Sequence, residues 1–132
     1  VINPERYGRG SGIEALEAPR SSIINGFNDF YESVPTNGAA FKETAILEPS
    51  ETIVFGEKES GSGHWWMDYW MGDDYKELEE SRHRSGNRFS GGSVYAFSDG
   101  SSRYIPFGGS VSPVNLWAVT DFWRRNGTAT EP

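Results

Sequence analysis

The most regular pattern of apolar positions lies between Gly91 and Gly108. Val94, Tyr95 and Phe97 stand on one side of Asp99-Gly100, and Tyr104, Ile105 and Phe107 stand on the other. Two short apolar runs parted by Asp-Gly, the pair that best accepts positive φ, predict a β-hairpin with Asp99 and Gly100 at its turn. Pro106 has no N–H to offer a ladder, which puts the second strand at a sheet edge or close to its own end. Glu51 to Glu57 forms the other strand pattern. Ile53, Val54 and Phe55 supply the β-branched and aromatic residues of a strand buried on at least one face.

The remaining stretches carry weaker patterns. Residues 1–22 mix glycine, proline and charge and read largely as loop, with Ile13 to Ala18 as one candidate helical turn. From Ile23 to Tyr31 the aromatic spacing fits neither period, so this reads as irregular chain around an Asn25-Gly26 turn. Asp74 followed by Glu77 has the form of a capping box. It suits a short helix from Tyr75 to Arg82 with Lys76 and Glu80 as an i,i+4 pair, but its apolar face of Tyr75 and Leu78 is thin, and an extended loop is the alternative reading. Between Val114 and Arg125, Leu116, Val119 and Trp123 share one face of a second predicted helix that Asn126-Gly127 would stop. Residues 126–132 read as a tail.

At 132 residues, with 16 glycines and 7 prolines, the chain predicts one domain of short strands and many turns. The formal charge of −7 opposes binding to a phosphate backbone, so no nucleic-acid partner is expected. Without cysteine there is no disulfide framework and no thiolate chemistry. No apolar run approaches the length of a membrane span.

Several residues offer chemistry by type. Ser62 or Ser90, His64 or His83, and Asp68 or Asp99 supply the members of a hydrolytic triad, but no nucleophile-elbow motif frames either serine, and no catalytic residue is assigned. Asp68, Asp73 and Asp74 with Glu57 could form an oxygen site for calcium, although the ligand spacing of a calcium loop is absent and a solvated acidic loop explains them more simply. Trp65, Trp66 and Trp70 could form a sugar-stacking surface; the plainer alternative is that they fill a small β-rich core. Asn126-Gly127-Thr128 matches a glycosylation acceptor, a motif short enough to recur by chance.

Three stretches in order, Ile46 to Glu57, Ser81-Arg82-His83 and Gly91 to Gly100, resemble the C-terminal region of prepilin-like proteins related to type II secretion pseudopilins. Asn115 to Asp121 is similar to a tail found in some of them. Those proteins carry a His-x9-Asp-Gly motif. Here Phe89 stands ten residues before Asp99, and His83 stands sixteen before it. Ser101 also occupies a position where members often have histidine.

The resemblance implies an α+β fold, mostly antiparallel β, of a pilin-like head domain lacking its long N-terminal helix. No stretch of residues 1–30 reads as that helix, and the chain begins at Val1 rather than Met. The expectation is therefore the head of a longer, membrane-anchored, extracytoplasmic protein. It implies a non-enzymatic subunit of a type IV pilus-like or type II secretion pseudopilus-like filament, with other pilin-like subunits as partners, and self-association through apolar surface exposed where the helix is missing. No organic cofactor is implied. Calcium in related pseudopilins directs attention to Asp68, Asp73, Asp74 and Asp99. The alternative expectation is a secreted carbohydrate-binding module using Trp65, Trp66 and Trp70.

Overall fold

A computed structural model describes residues 21–33, 41–61, 65–67, 74–83, 86–87 and 89–126. Among these residues it is a mixed α/β domain built on one five-stranded, mostly antiparallel sheet with two short helices. The strands are β1 (Ser22–Asn25), β2 (Ile53–Glu57), β3 (Trp66–Met67), β4 (Gly92–Phe97) and β5 (Ser102–Pro106), in the spatial order β3-β1-β2-β4-β5. Among the described residues only the β1–β3 pair is parallel. The helices are α1 (Asn28–Ser33) and α2 (Asp121–Asn126).

The predicted hairpin is β4–β5, with Val94 opposite Tyr104 and Ala96 opposite Ser102. Its turn is longer than a two-residue Asp-Gly loop. Gly100 N–H donates to Phe97 C=O and Phe97 N–H donates to Ser101 C=O, which encloses Ser98, Asp99 and Gly100. Gly100 alone takes a positive φ, +88°. This is the arrangement of a three-residue loop whose last residue is left-handed. Asp99 serves the turn through its carboxylate, which accepts from the Ser101 amide at 2.9 Å and the Ser101 hydroxyl at 2.6 Å. Pro106 closes β5 at the sheet edge, as its missing N–H requires.

Period-2 alternation, shifted in β2 by an irregularity between Ile53 and Phe55, separates the two faces of the sheet. Ile23, Asn25, Met67, Ile53, Ser93, Tyr95, Phe97 and Ile105 are buried on one face. A strap of chain, residues 115–120, covers it. Trp117 and Ala118 are fully buried there, and Trp117 meets Tyr95 edge to face with ring centroids 6.1 Å apart. Gly56 makes room for this pair. A Cβ at that position would lie 3.0 Å from both Trp117 Cη2 and Tyr95 Cε1.

Polar side chains hold the strap. The Asn25 amide donates to Ile53 C=O and to Trp117 C=O, each at 2.7 Å. Asp29, fully buried at the start of α1, accepts from the Val119 amide at 2.8 Å and from the Thr120 amide at 2.7 Å, and its Oδ2 takes the Thr120 hydroxyl as well. Arg124 donates from its guanidinium to Ala118 C=O and Glu51 C=O, while its own carbonyl accepts from the Asn115 amide.

Three expectations are corrected here. Residues 23–31 contain a central strand and the start of a helix, because β1 takes ladder partners from β2 and β3 that local spacing could not reveal. Val114 to Arg125 is not one helix: Trp117, Ala118 and Val119 are buried in succession, which no single helical face allows, and only Asp121–Asn126 is helical. Tyr75 to Arg82 is not a helix either. A single 3-10 turn, Asp74–Glu77, leads into chain wedged between the diverging ends of β2 and β4. Glu79 N–H donates to Glu57 C=O, Glu59 N–H to Glu77 C=O, and His83 N–H to Gly92 C=O. So short a helix with so thin an apolar face loses to ladder partners of this kind. Of residues 1–22 and 126–132, assigned largely to loop and to tail, only Ser21, Ser22 and Asn126 are among the described residues, and Ser22 opens β1 while Asn126 ends α2.

Filling the Gly56 notch should destabilise the domain. Gly56→Val is expected to cost about 1–3 kcal/mol or more through overpacking against Trp117 and Tyr95. Asp29→Ala should cost about 2–4 kcal/mol by leaving two buried amides without an acceptor. Urea denaturation followed by tryptophan fluorescence measures both, and unchanged midpoints would mean that the strap does not seat as described.

Candidate functional site

The opposite face of the sheet is the candidate site. The strand registers place Trp66, Ile24, Phe55 and Ala96 in one cross-strand row, with Ser102 at its end. With neighbouring strands roughly 4.8 Å apart, the apolar part of that row spans about 14 Å. One step along, Val94 faces Tyr104. Trp66 is 38% exposed, Phe55 46%, Val94 40% and Tyr104 50%, so large apolar side chains on four strands reach solvent together. Scattered single apolar residues are ordinary on a protein surface, whereas a contiguous patch marks a contact surface.

Charge borders this face where the wedged segment enters. Glu57 accepts from the Val94 amide at 3.0 Å, replacing a ladder bond that β2 no longer provides. Arg82 Nε lies 3.7 Å and His83 Nε2 3.5 Å from the same carboxylate. The histidine of the family-like stretch therefore pairs with Glu57. A separate shallow groove of about 400 Å³ lies between Leu47, Glu48 and Glu51 on one side and Val114, Val119 and α2 on the other. Its charged groups are largely engaged within the fold: Glu51 with Arg103 at 2.9 Å, Asp121 with Arg125 at 2.7 Å, and Arg124 with backbone carbonyls.

The residues singled out from sequence fall in different places. Trp65 and Trp66 pack edge to face, centroids 5.1 Å apart, and Trp66 joins the outer row. Trp70 lies outside the described residues, as do Ser62, His64, Asp68 and Asp73. Asp74 begins the 3-10 turn. Among the described residues no group of three or more histidine and carboxylate side chains is arranged to hold a metal ion. Asp99 is committed to its turn, and the Ser90 hydroxyl donates to Asn87 C=O at 2.8 Å. The expected Lys76–Glu80 pair does not form; Glu80 turns inward to Ser110.

Ile24, Phe55, Val94 and Tyr104 were not singled out as a surface. The signal for them was present: Val94-Tyr95-Ala96-Phe97 and Ile53-Val54-Phe55 are apolar at consecutive positions, the mark of strands with both faces destined for cover. The partner strands that align these residues into one patch could not be read from spacing.

No family model, no curated protein and no solved structure matches this chain.

Strong acid should weaken the hairpin turn and its surroundings. The Ser101 hydroxyl, the largest influence, holds the Asp99 carboxyl below its ordinary 3.8. The hydrogen bond from Arg103 does the same for Glu51 against its ordinary 4.5. Both carboxylates therefore stabilise the fold above those ordinary values, and the contribution is lost as pH falls through the lowered ones. Asp99→Asn should flatten the acid limb of a stability–pH curve from chemical denaturation; an acid limb identical to that of the parent would show that the turn is not proton-linked.

Proposed function

We propose that this chain is the head of a pilin-like filament subunit, and that its outer sheet face is the surface against which an apolar helix of the assembled protein packs. The observation that carries this reading is the row Trp66–Ile24–Phe55–Ala96 with Val94 and Tyr104 beside it. A sheet already covered on one face by the strap presents on its other face apolar side chains of the kind that helix-on-sheet packing buries. The likeness of Ile46 to Glu57 and of Gly91 to Gly100 to prepilin-like proteins supports the same reading. The work of such a subunit is assembly at the cell envelope rather than chemistry.

The decisive test is the coding sequence upstream of Val1. A basic start, a prepilin-type cleavage junction and about twenty apolar residues, enough for a bilayer span, is the expected result. A cleavable secretory signal ending near Val1 would overturn the proposal. In solution the isolated domain should self-associate through the outer face, with Phe55→Asp and Tyr104→Asp shifting it to monomer in a light-scattering dilution series. A parent domain that stays monomeric throughout would count against the assignment of that face.

A second reading rests on the exposed ring of Trp66 beside Trp65. Flat aromatic surface suits the apolar faces of sugars, as a secreted carbohydrate-binding module would require. Tryptophan fluorescence titrated with soluble glycans separates the two: a saturable spectral shift abolished by Trp66→Ala would favour the glycan, whereas rings inaccessible to iodide would eliminate it.

A further inference from the structure

Asparagine followed by glycine is the pair in which the side-chain amide is most open to attack by the next main-chain nitrogen, because glycine puts no side chain in the way. The chain holds three such pairs, Asn25-Gly26, Asn37-Gly38 and Asn126-Gly127. The first lies in the core. Asn25 is 3% exposed; its Nδ2 donates to Ile53 C=O and Trp117 C=O at 2.7 Å each, and its Oδ1 accepts from the Phe27 amide at 2.8 Å. Neither residue is easily exchanged. A short side-chain amide is what offers two donors and an acceptor from one arm. A Cβ on Gly26 would lie 2.4 Å from Asn28 Oδ1 and 2.5 Å from the Met67 carbonyl oxygen. Packing thus keeps a self-reactive pair at the point where the strap is fastened.

We propose that Asn25 is a modification site gated by folding, closed while the strap is seated and open to self-catalysed deamidation once the strap lifts. In the reaction the Gly26 nitrogen gives its proton to solvent base and attacks Asn25 Cγ. A Cγ–N bond forms, closing a cyclic succinimide, and the Cγ–Nδ2 bond breaks, with Nδ2 taking up a proton and leaving as ammonia. Water then opens the ring on either side, to aspartate or to isoaspartate. Solvent water is the co-reactant, and nothing is oxidised or reduced.

The seated structure obstructs these steps. Gly26 N–H donates to Met67 C=O at 3.1 Å, so the proton that must leave is held by β3. Turning Asn25 Cγ onto the Gly26 nitrogen would break the bonds to Ile53, Trp117 and Phe27 together. The product, in turn, does not fit the native seat. At neutral pH a carboxylate has no proton to give, so Ile53 C=O and Trp117 C=O would face a buried negative charge in place of donors. Isoaspartate also lengthens the main chain by a carbon between β1 and the Gly26 bond to Met67. Unfolding that outlasts the reaction therefore becomes irreversible, and time spent outside the native fold is recorded at this residue.

The test is peptide mapping by mass spectrometry of the chain held at mildly alkaline pH, in native buffer and in guanidinium chloride above the unfolding midpoint. In denaturant Asn25 should convert at a pace similar to Asn37 and Asn126; in native buffer its conversion should be slower by about ten-fold or more, and below the midpoint it should rise with the open population. Native conversion at the denatured rate, or a rate independent of the open population, would overturn the gate. After partial conversion and dilution into native buffer, size exclusion should leave Asn25 conversion depleted in the folded fraction and enriched in the rest. Equal conversion in both fractions would overturn the irreversibility. Asn25→Asp checks the product directly: its unfolding constant should rise about ten-fold or more, and a midpoint equal to the parent's would also overturn the proposal.

Discussion

The fold depends on fastening a non-regular strap to a sheet by buried polar side chains. Trp117 and Ala118 bring apolar cover to the inner face, but an extended segment outside the sheet leaves its amides and carbonyls without ladder partners. Buried and unpaired, each would cost on the order of 1–3 kcal/mol. Asn25 takes the Trp117 carbonyl, Asp29 takes the amides of Val119 and Thr120, and Asn115 takes the Trp117 amide through its own Oδ1. Shifting the strap by one residue would orphan several of these at once. The polar clamps therefore choose the one seating in which the Trp117 ring meets the gap above Gly56.

That arrangement divides labour between the faces of the sheet. Core cover comes from the strap, together with Leu78 and the partly buried Tyr75, Val111 and Trp123, and leaves the outer face to whatever else the molecule meets. The wedged segment matters for the same reason. By taking over the ends of β2 and β4 it turns Glu57, Arg82 and His83 into a polar border, so the apolar patch is bounded on that side. A patch with a border is suited to a defined contact more than to indiscriminate association, which agrees with the assembly role proposed for it.

The legible parts of the sequence were those in which neighbours decide the structure. Gly100 and Pro106 act within a few residues of themselves, and both the turn and the sheet edge could be read from them. Ile53 to Glu57 carried enough β-branched and aromatic character to be read as a strand in isolation. What stayed hidden was decided at long range. Ser22 to Asn25 becomes a central strand because β2 and β3 flank it; the 116, 119, 123 spacing suggested a helix that Asn25 and Asp29 override from about ninety positions away; and Glu80 pairs with Ser110 rather than Lys76 because Leu78 is drawn into a bridge with Lys58. The outer patch was hidden in the same way, since its members come from five separate stretches of chain.

The clamp between β1 and the strap also has a meaning in time. Asn25 and Trp117 are 92 positions apart, and Asp29 and Val119 are 90 apart, so an interior strand of the sheet and the helix after it receive hydrogen bonds from a segment far along the chain. The β4–β5 hairpin can form as a local unit, but closure of the inner face must wait for a long loop to be drawn shut, which slows folding relative to a domain of local contacts. Until then Ile23, Tyr95 and Phe97 are uncovered on one side while Phe55 and Tyr104 are uncovered on the other. A chain in that state is apolar on both sides of its sheet, which makes the seating of the strap the step that commits one of the two faces to the interior.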